Sequence, residues 1–354
     1  MVRRPAGWSV SVAALVFLSG CSGVGPQQLD TDQMNYASAL GEGLKRQMLL
    51  NMVRLRYADV PTFLTVSQVI SGYTLQSTGQ VGLNAYPNAR PGDYATLSGS
   101  LQYTTRPTFT FTPVTGERLA RSYLRPLAPA ELLSLAQSGA PVDLLFRLGV
   151  QSVNGLPNRA TISGQARRTS DGFETLLQAL HEVQAVGSVS LRFERTAEGS
   201  RVYVVLDDGE GRAAEALRQA RRILGVGLTV REFEVIYGRV PTRPGQVAVL
   251  TRSILQILFE LGTQVDVAPT DVQRGDTPAT ASELTLVRER LLTVRQGERA
   301  PDDAYASVQY RGRWFWIDAG DYPSKAAFTF VYVLQVLAES GHGQTNPVVT
   351  IPAQ

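Results

Sequence analysis

The chain has 354 residues, of which 44% are hydrophobic and 18% are charged. This length allows one large domain or two ordinary ones, and the composition excludes an intrinsically disordered chain or a bundle of membrane helices. The formal net charge is +3; without Arg3 and Arg4, near the start, 32 basic residues remain against 31 acidic ones. This balance provides no electrostatic basis for binding nucleic acid.

Residues 1–21 have the three parts of a secretory signal. Arg3 and Arg4 form a basic start, residues 8–17 are apolar, and small residues precede Cys21. An apolar stretch of this length is too short for a membrane-spanning helix, which needs about 20 residues. We therefore expect this leader to be a signal peptide that is removed.

The end of the leader, Leu18-Ser19-Gly20-Cys21, resembles the lipobox of bacterial lipoproteins. In that family a leucine lies three places before a cysteine, with small residues between them. The resemblance covers the leader only. It implies cleavage between Gly20 and Cys21, a thioether-linked diacylglycerol on Cys21, and acylation of the new amino group. The alternatives are an uncut anchor or an ordinary secretory signal.

The cysteine content of the chain and the residue that follows Cys21 refine this prediction. Cys21 is the only cysteine, so it has no intramolecular disulfide partner. Ser22 follows it, whereas an aspartate there favours retention in the inner membrane in the family. The resemblance therefore implies an outer-membrane anchor, in which two or three acyl chains hold the body at the periplasmic side. We expect a signal peptide at 1–20 and a lipidated tether at 21–39.

The first part of the mature chain, residues 40–155, has a predicted helix, then a predicted β-rich region, then predicted short helices. Helical spacing of Leu44, Met48 and Met52 predicts a helix over 40–57, and Pro61 lies beyond its end. Its arginines could face solvent or lipid phosphates; these are Arg46, Arg54 and Arg56.

Residues 63–112 are rich in threonine, tyrosine, valine and glycine, with polar alternation. This pattern predicts an antiparallel sheet or an extended hairpin arm, with a loop near 86–93. The pattern of residues 115–153 predicts short helices that form a small helical subdomain. Pro129 suits the first turn of one of these helices. We expect a linker or an exposed loop at 156–169.

Residues 170–354 alternate predicted strands and helices. Asp171 and Glu174 have the spacing of a capping box ahead of a helix. Strands are expected near 188–195, 201–206 and 228–237, with a helix over 213–224. The segments 247–269 and 314–352 share an order of strand, helix, Glu-x-Gly and strand. An internal β-α-β duplication and ordinary strand–helix alternation both explain this order.

The whole pattern predicts an α+β fold with mostly antiparallel sheets and packed helices. Few residues suit catalysis. His181 and His342 are the only histidines, no metal-binding or phosphate-binding motif is present, and Cys21 is expected to be lipidated. We therefore predict no cofactor, no metal site and no catalytic residue of the common hydrolase types. Carboxylates are the remaining candidates for acid–base chemistry, although turn positions also favour aspartate; they are Asp207, Asp208, Asp302, Asp303, Asp318 and Asp321.

The densest aromatic segment is residues 310–318. Strand alternation predicts Trp314 and Trp316 on one face and Phe315 on the other. Such a strand can belong to the core and its edge, or it can form a binding surface.

We therefore expect a non-enzymatic structural or assembly component of an envelope complex, with protein partners and a membrane contact through Cys21. The region 63–112 is the candidate for partner contact. Two alternatives remain: a cell-wall glycan hydrolase that uses paired carboxylates, and a module that binds a small apolar ligand. A cleft that brings carboxylates together favours the first alternative, and a closed apolar cavity favours the second.

Overall fold

The computed structural model describes residues 26–84, 94–160, 168–187, 189–196, 199–207, 210–280 and 290–340. The predicted leader, the lipidation site Cys21 with its neighbour Gly20, and the loop expected near 86–93 lie outside these residues. The chain divides into two compact units. One unit, here called the arm, is Thr62–Leu119, and the other, here called the body, is formed by the segments before and after it.

The described residues form an α+β fold, as predicted. The helices are α1 (Pro26–Arg56), α2 (Gly116–Leu119, followed by a π-helical turn at Ala120–Leu124), α3 (Pro129–Gln137), α4 (Val142–Gly149), α5 (Asp171–Ala185), α6 (Arg212–Leu224), α7 (Ile254–Gly262), α8 (Pro269–Gln273) and α9 (Tyr322–Ser340). The strands are β1 (Leu64–Asn84), β2 (Tyr94–Pro113), β3 (Val150–Val153), β4 (Leu156–Pro157), β5 (Val189–Thr196), β6 (Gly199–Leu206), β7 (Glu232–Tyr237), β8 (Gln246–Thr251), β9 (Arg295–Gly297), β10 (Ala306–Tyr310) and β11 (Arg313–Ile317). None of the helices in this described part combines the length and apolar character that crossing a bilayer requires.

Helix α1 begins at Pro26, 14 residues before the predicted start at residue 40. Residues 26–39, which were expected to be a flexible tether, are therefore helical. Their described side chains are mostly exposed, so they lack the apolar spacing from which a helix is predicted. A proline in the first turn is compatible with a helix, and no further proline or glycine interrupts the segment before Gly41. The predicted apolar face is confirmed further on at Met48 and Met52, which are buried, whereas Leu44 is half-buried.

The main sheet of the body has six strands in the order β4-β3-β8-β7-β6-β5. All neighbours are antiparallel except β7 and β8, which are parallel. Strand β3 precedes the linker expected at 156–169, and β4 occupies the first two residues of that linker, yet both strands share this sheet with the later strands. The structure thus joins segments that the sequence-based division separated, because strand pairing between distant segments is a long-range property.

One face of this sheet carries the core of the body. Val202, Leu206, Phe233 and Val235 are buried, and α5 packs against α6. The opposite face has exposed ion pairs, including one between Arg192 on β5 and Glu232 on β7, which spans the intervening strand β6. Alternation along β5, β6 and β7 therefore separates an apolar side from a polar one, whereas β8 is buried on both faces.

Helix α5 does not use the predicted capping box. The residue that caps its start is Ser170, whose hydroxyl accepts a hydrogen bond of 3.2 Å from the amide of Phe173. Glu174 instead accepts two hydrogen bonds, of 2.8 and 2.6 Å, from the guanidinium of Arg147 on α4. A bidentate ion pair with a neighbouring helix thus replaces the local contact that the spacing predicted.

The smaller sheet has the order β10-β11-β9 and is antiparallel throughout. Its tight turn at Arg311 and Gly312 has positive φ at both residues, 49° and 79°, which matches the twist of a two-residue hairpin. The two segments considered for a duplication place their first strands, β8 and β11, in different sheets. The last predicted strand of the second segment lies outside the described residues, and the duplication remains a hypothesis.

Candidate functional site

The arm is built on one long antiparallel hairpin, in agreement with the hairpin alternative predicted for residues 63–112. Strands β1 and β2 pair from Leu64 with Pro113 to Asn84 with Tyr94, with one register shift between Val66 and Gln68. In the described part of the chain, no third strand pairs with either of them. Since isolated two-stranded hairpins are marginally stable in water, a ribbon of this length is an unusual element.

The register assigns the two faces of this ribbon, because residues directly opposite each other share a face. Beyond the bulge, the odd-numbered positions of β1 oppose odd-numbered positions of β2, as Leu75 opposes Tyr103. The first face is rich in apolar residue types and carries Val69, Tyr73, Leu75, Val81, Leu83, Ala95, Leu97, Leu101, Tyr103 and Phe109. The second is mostly polar and carries Thr74, Gln76, Thr78, Gln80, Asn84, Thr96, Ser98, Ser100, Gln102 and Thr104.

The ribbon is also almost free of charge. Arg106 is the only charged residue in β1 and β2, although 18% of the whole chain is charged. Natural edge strands commonly carry charged residues that prevent pairing with other chains. Apart from Arg106, the two strands therefore lack charged residues that would oppose edge-to-edge association.

In the body, an apolar cleft of about 270 Å³ lies between the core face of the six-stranded sheet and helices α3 and α5. Leu133, Phe146, Leu180, Leu191 and Phe233 are among its lining residues. Gln184 lines it as well, but its amide is already engaged, because it donates to the carbonyls of Ala136 and Ala140 and accepts from the amide of Val142. The cleft thus offers apolar contact and little directional hydrogen bonding.

A groove of about 390 Å³ lies between α1 and α9 and contains Tyr305. The ammonium groups of Lys45 and Lys325 lie 4.5 and 6.0 Å from the centre of this ring. Lys45 also pairs with Glu42, and Lys325 donates to the carbonyl of Ala319 at 2.6 Å. Both lysines of the chain are therefore engaged within the body, where they join these elements around one aromatic ring.

Among the described residues, the carboxylates that were candidates for acid–base chemistry line neither of the two clefts described above. Asp207 is exposed, and Asp302 is 90% exposed beside Arg299. Asp208 lies outside the described residues. Neither cleft described above is lined by Asp207, Asp302, Asp318 or Asp321.

Asp318 and Asp321 lie in the same turn and have structural partners. Asp318 pairs with Arg295 and accepts a hydrogen bond of 2.8 Å from the indole of Trp316. Asp321 accepts hydrogen bonds of 3.1 and 2.6 Å from the amide and hydroxyl of Ser324, at the start of α9. These contacts satisfy the first turn of a helix and fix the end of β11.

Of the two histidines, only His181 lies within the residues that the structure describes. His181 has a side chain that is 64% exposed, with Nδ1 3.7 Å from Asp143, which agrees with the surface position predicted for it. His342 lies outside the described residues. Among the described residues, no group of three or more histidine, cysteine or acidic side chains could hold a metal ion.

No protein-family model, curated protein or solved structure matches this chain. Function must therefore follow from the geometry of the molecule itself, and the arm and the apolar cleft are its two most specific features. The aromatic strand β11 is less specific. Phe315 is buried and Trp314 and Trp316 are half-buried, as alternation predicted, and Trp316 packs on Gly297, where a Cβ would lie 3.1 Å from the ring.

One further cluster in the body has no signal in the sequence. The hydroxyl of Tyr57 donates to Asp271 at 2.7 Å, and the hydroxyl of Tyr310 donates to Asp59 at 2.9 Å. The guanidinium of Arg311 lies 5.2 and 5.5 Å from the two rings. Residues from three distant segments thus meet here, and no local spacing connects them.

The cluster changes the acidity of its members. Burial, followed by the hydrogen bond to Asp271, raises the pKa of Tyr57 far above its usual value of 10.0. Burial and the hydrogen bond to Asp59 also raise the pKa of Tyr310, while the same bond holds the pKa of Asp59 below its usual range. Both tyrosines therefore remain neutral donors, and the cluster holds the β10–β11 turn against the end of α1.

Proposed function

We propose that this chain is an outer-membrane-anchored, periplasm-facing lipoprotein that serves as a non-enzymatic structural or assembly component of an envelope complex. The observation that carries the proposal is the β1–β2 hairpin, a long and almost uncharged ribbon without a third strand in the described chain. Such a ribbon gains stability when another surface covers its face or its edges. In this proposal the body is the scaffold and the hairpin is the element that contacts other subunits.

The anchor in this proposal is a lipid on Cys21, argued from the lipobox resemblance. The mass of the amino-terminal peptide of the membrane-extracted protein measures it directly. We expect a chain that begins at Cys21 and carries acyl groups, and we expect Cys21→Ser to release the protein from the membrane fraction. An unmodified peptide that retains residues 1–20 contradicts the anchor.

The assembly role is tested by a photo-crosslinking amino acid placed in the full-length chain. Gln76 in the hairpin is the test position, and Glu182, an exposed residue of α5, is the matched control. We expect Gln76 to give discrete crosslinked protein species in intact cells and Glu182 to give none. Absence of crosslinks at both positions, with the chain at full abundance, contradicts the role of the hairpin.

A second candidate function is the binding of a small apolar ligand, and the cleft beside the six-stranded sheet favours it. Its volume of about 270 Å³ suits a small hydrocarbon or part of an acyl chain. A fluorescent apolar probe titrated into the purified protein tests this candidate. We expect Leu180→Trp, which narrows the cleft, to weaken binding at least tenfold, whereas Leu228→Trp on the surface leaves it unchanged.

The alternative of a cell-wall glycan hydrolase requires two carboxylates that face one cleft, about 5 to 9.5 Å apart. Two of its candidates, Asp318 and Asp321, are instead held by Arg295, Trp316 and Ser324. The contacts of these residues favour the structural role over this alternative.

A further inference from the structure

The outer edges of the hairpin offer backbone groups for hydrogen bonding. In a two-stranded antiparallel ribbon, roughly half of the N–H and C=O groups point away from the partner strand. In β1 from Val69 to Asn84 and in β2 from Tyr94 to Phe109, no other described strand supplies partners for these groups. Each hairpin therefore presents one β1 edge and one β2 edge.

These two edges are complementary to each other. A β2 edge can receive the β1 edge of a second identical chain, and the result continues the antiparallel order of the ribbon. The same two edges are present on every copy, so the contact can repeat from one copy to the next. The absence of charge, apart from Arg106, means that identical chains do not repel each other along this contact.

The pattern of the two faces limits the register of such a contact to offsets that keep the apolar faces of neighbouring copies on the same side. A slip of one residue would place the apolar residue types of one copy beside the polar residue types of the next. When odd-numbered residues of one copy pair with odd-numbered residues of the next, residues such as Leu75 and Leu101 stay on one common face. A partner with unrelated sequence would have to reproduce the same alternation, whereas a copy of this chain has it already.

We propose that the hairpins of neighbouring copies of this chain pair edge to edge, β2 of one copy against β1 of the next, into a continuous antiparallel sheet. This inference rests on the proposed function, because it names the partner of the hairpin. It assigns no role to the body beyond holding each hairpin.

Introduced cysteines test this contact in native membranes. One tagged copy carries Thr74→Cys, and a differently tagged copy carries a cysteine at Thr104, Ser100 or Thr108, tested in turn because the hairpin does not set the offset between copies. We expect a bismaleimide to give a mixed-tag species of twice the monomer mass at one of these positions. Each variant expressed alone and the unmodified chain are the controls, and they reveal any reaction of Cys21.

The outcomes separate the inference from the proposed function. A mixed-tag dimer supports edge pairing between copies. If the cysteines give no mixed-tag dimer while photo-crosslinking at Gln76 captures a different protein, the partner is not a copy, and the assembly role survives without this inference. If neither crosslinking method captures anything, both are overturned.

The length of the hairpin and the residue types on its two faces support a second inference. Residues 73–84 and 94–105 form the outer half of the hairpin, and each segment is about 40 Å long at about 3.3 Å per residue. A tilted strand of about 9 to 11 residues is sufficient to cross the hydrocarbon of a bilayer. In this half the first face carries mostly leucine, valine, alanine and tyrosine, together with two glycines, Ser77 and Thr105. The opposite face carries mostly uncharged polar residues, together with Gly82 and Tyr94.

We infer that the first face of this outer half lies against bilayer hydrocarbon. Edge pairing makes this contact feasible, since backbone groups in hydrocarbon must be hydrogen-bonded. Tyr73 and Tyr103 lie on that face at the inner end of the segment, a position that suits aromatic residues at a membrane interface. The polar face then points away from lipid.

An environment-sensitive fluorophore attached at single cysteines measures this contact in vesicles that contain the full-length chain and lipids with nitroxide-labelled acyl chains. The test positions are Leu75→Cys and Leu97→Cys, and the matched controls are their neighbours Gln76→Cys and Ser98→Cys on the other face. We expect the nitroxide to quench the first pair at least threefold more than the second. Equal quenching at all four positions overturns the lipid contact and leaves edge pairing to be decided by the crosslinks.

Discussion

Arg159 and Glu260 form an ion pair inside the body, with side chains that are only 8% and 4% exposed. Arg252 lies in the same interior and donates hydrogen bonds to the carbonyls of Arg147, Leu148 and Arg159. Burial beside the cation of Arg159 lowers the pKa of Arg252 to about 10, although the charge of Glu260 opposes this shift. One carboxylate therefore compensates two buried guanidinium groups.

Glu260→Gln tests this network. We expect the free energy of unfolding to fall by about 3 kcal/mol, because removing one partner leaves buried charge without compensation. Chemical denaturation followed by far-UV circular dichroism measures the change. Asp302→Asn is the matched control, since the side chains of Asp302 and Arg299 are 90% and 81% exposed, and it should change stability by less than about 0.5 kcal/mol.

The close crossing of α1 and α7 gives a second prediction. A Cβ on Gly262 would lie 3.1 Å from the carbonyl oxygen of Met52 and 3.7 Å from the amide of Arg56. We expect Gly262→Ala to reduce the free energy of unfolding by about 1 to 3 kcal/mol, because rigid backbone on the facing helix must shift. Gly320→Ala, which has no atom within 4 Å of its Cβ, should leave the unfolding midpoint near that of the parent.

Tyr57 gives a prediction for alkaline pH. Its pKa is raised in the folded state, so between pH 10.0 and that raised value the folded chain keeps a proton that the unfolded chain loses. Its contribution to stability is complete below pH 10.0 and is lost as the pH rises toward the folded value. We expect Tyr57→Phe to reduce the loss of stability between about pH 9 and about pH 11, measured by urea unfolding. Tyr322→Phe, at a side chain that is 74% exposed, should retain the slope of the parent.

The two faces of the hairpin give a fourth prediction. Leu75→Lys places a charge on the apolar face, and Gln76→Lys places the same charge on the polar face one residue later. We expect Leu75→Lys to lower the yield of the mixed-tag crosslinked dimer in membranes at least fivefold, because a lysine in hydrocarbon carries a large cost. The Gln76→Lys yield should remain within twofold of the parent. Equal yields of crosslinked dimer from both variants would show that the two faces of the hairpin do not differ in their contact with hydrocarbon.

Several local features were predictable from the sequence. The apolar spacing of Met48 and Met52 identified the buried part of α1, and the alternation around Phe315 assigned the two faces of β11. The lipobox prediction at Cys21 is also local, because enzymes that process a leader recognise consecutive residues; it remains a prediction here. In each of these cases the signal lies within one or two turns of helix or within one strand.

The sequence by itself determined the α+β class and the alternation that predicted a hairpin arm, because helical and strand periodicities are written along the chain. Only the tertiary structure decided which distant segments meet. It placed β3 and β4 in the sheet of the later strands, joined Tyr57 to Asp271, and engaged Asp318 and Asp321 in structural contacts. Strand order and side-chain pairing between distant segments depend on how the whole chain packs, and no local period encodes them.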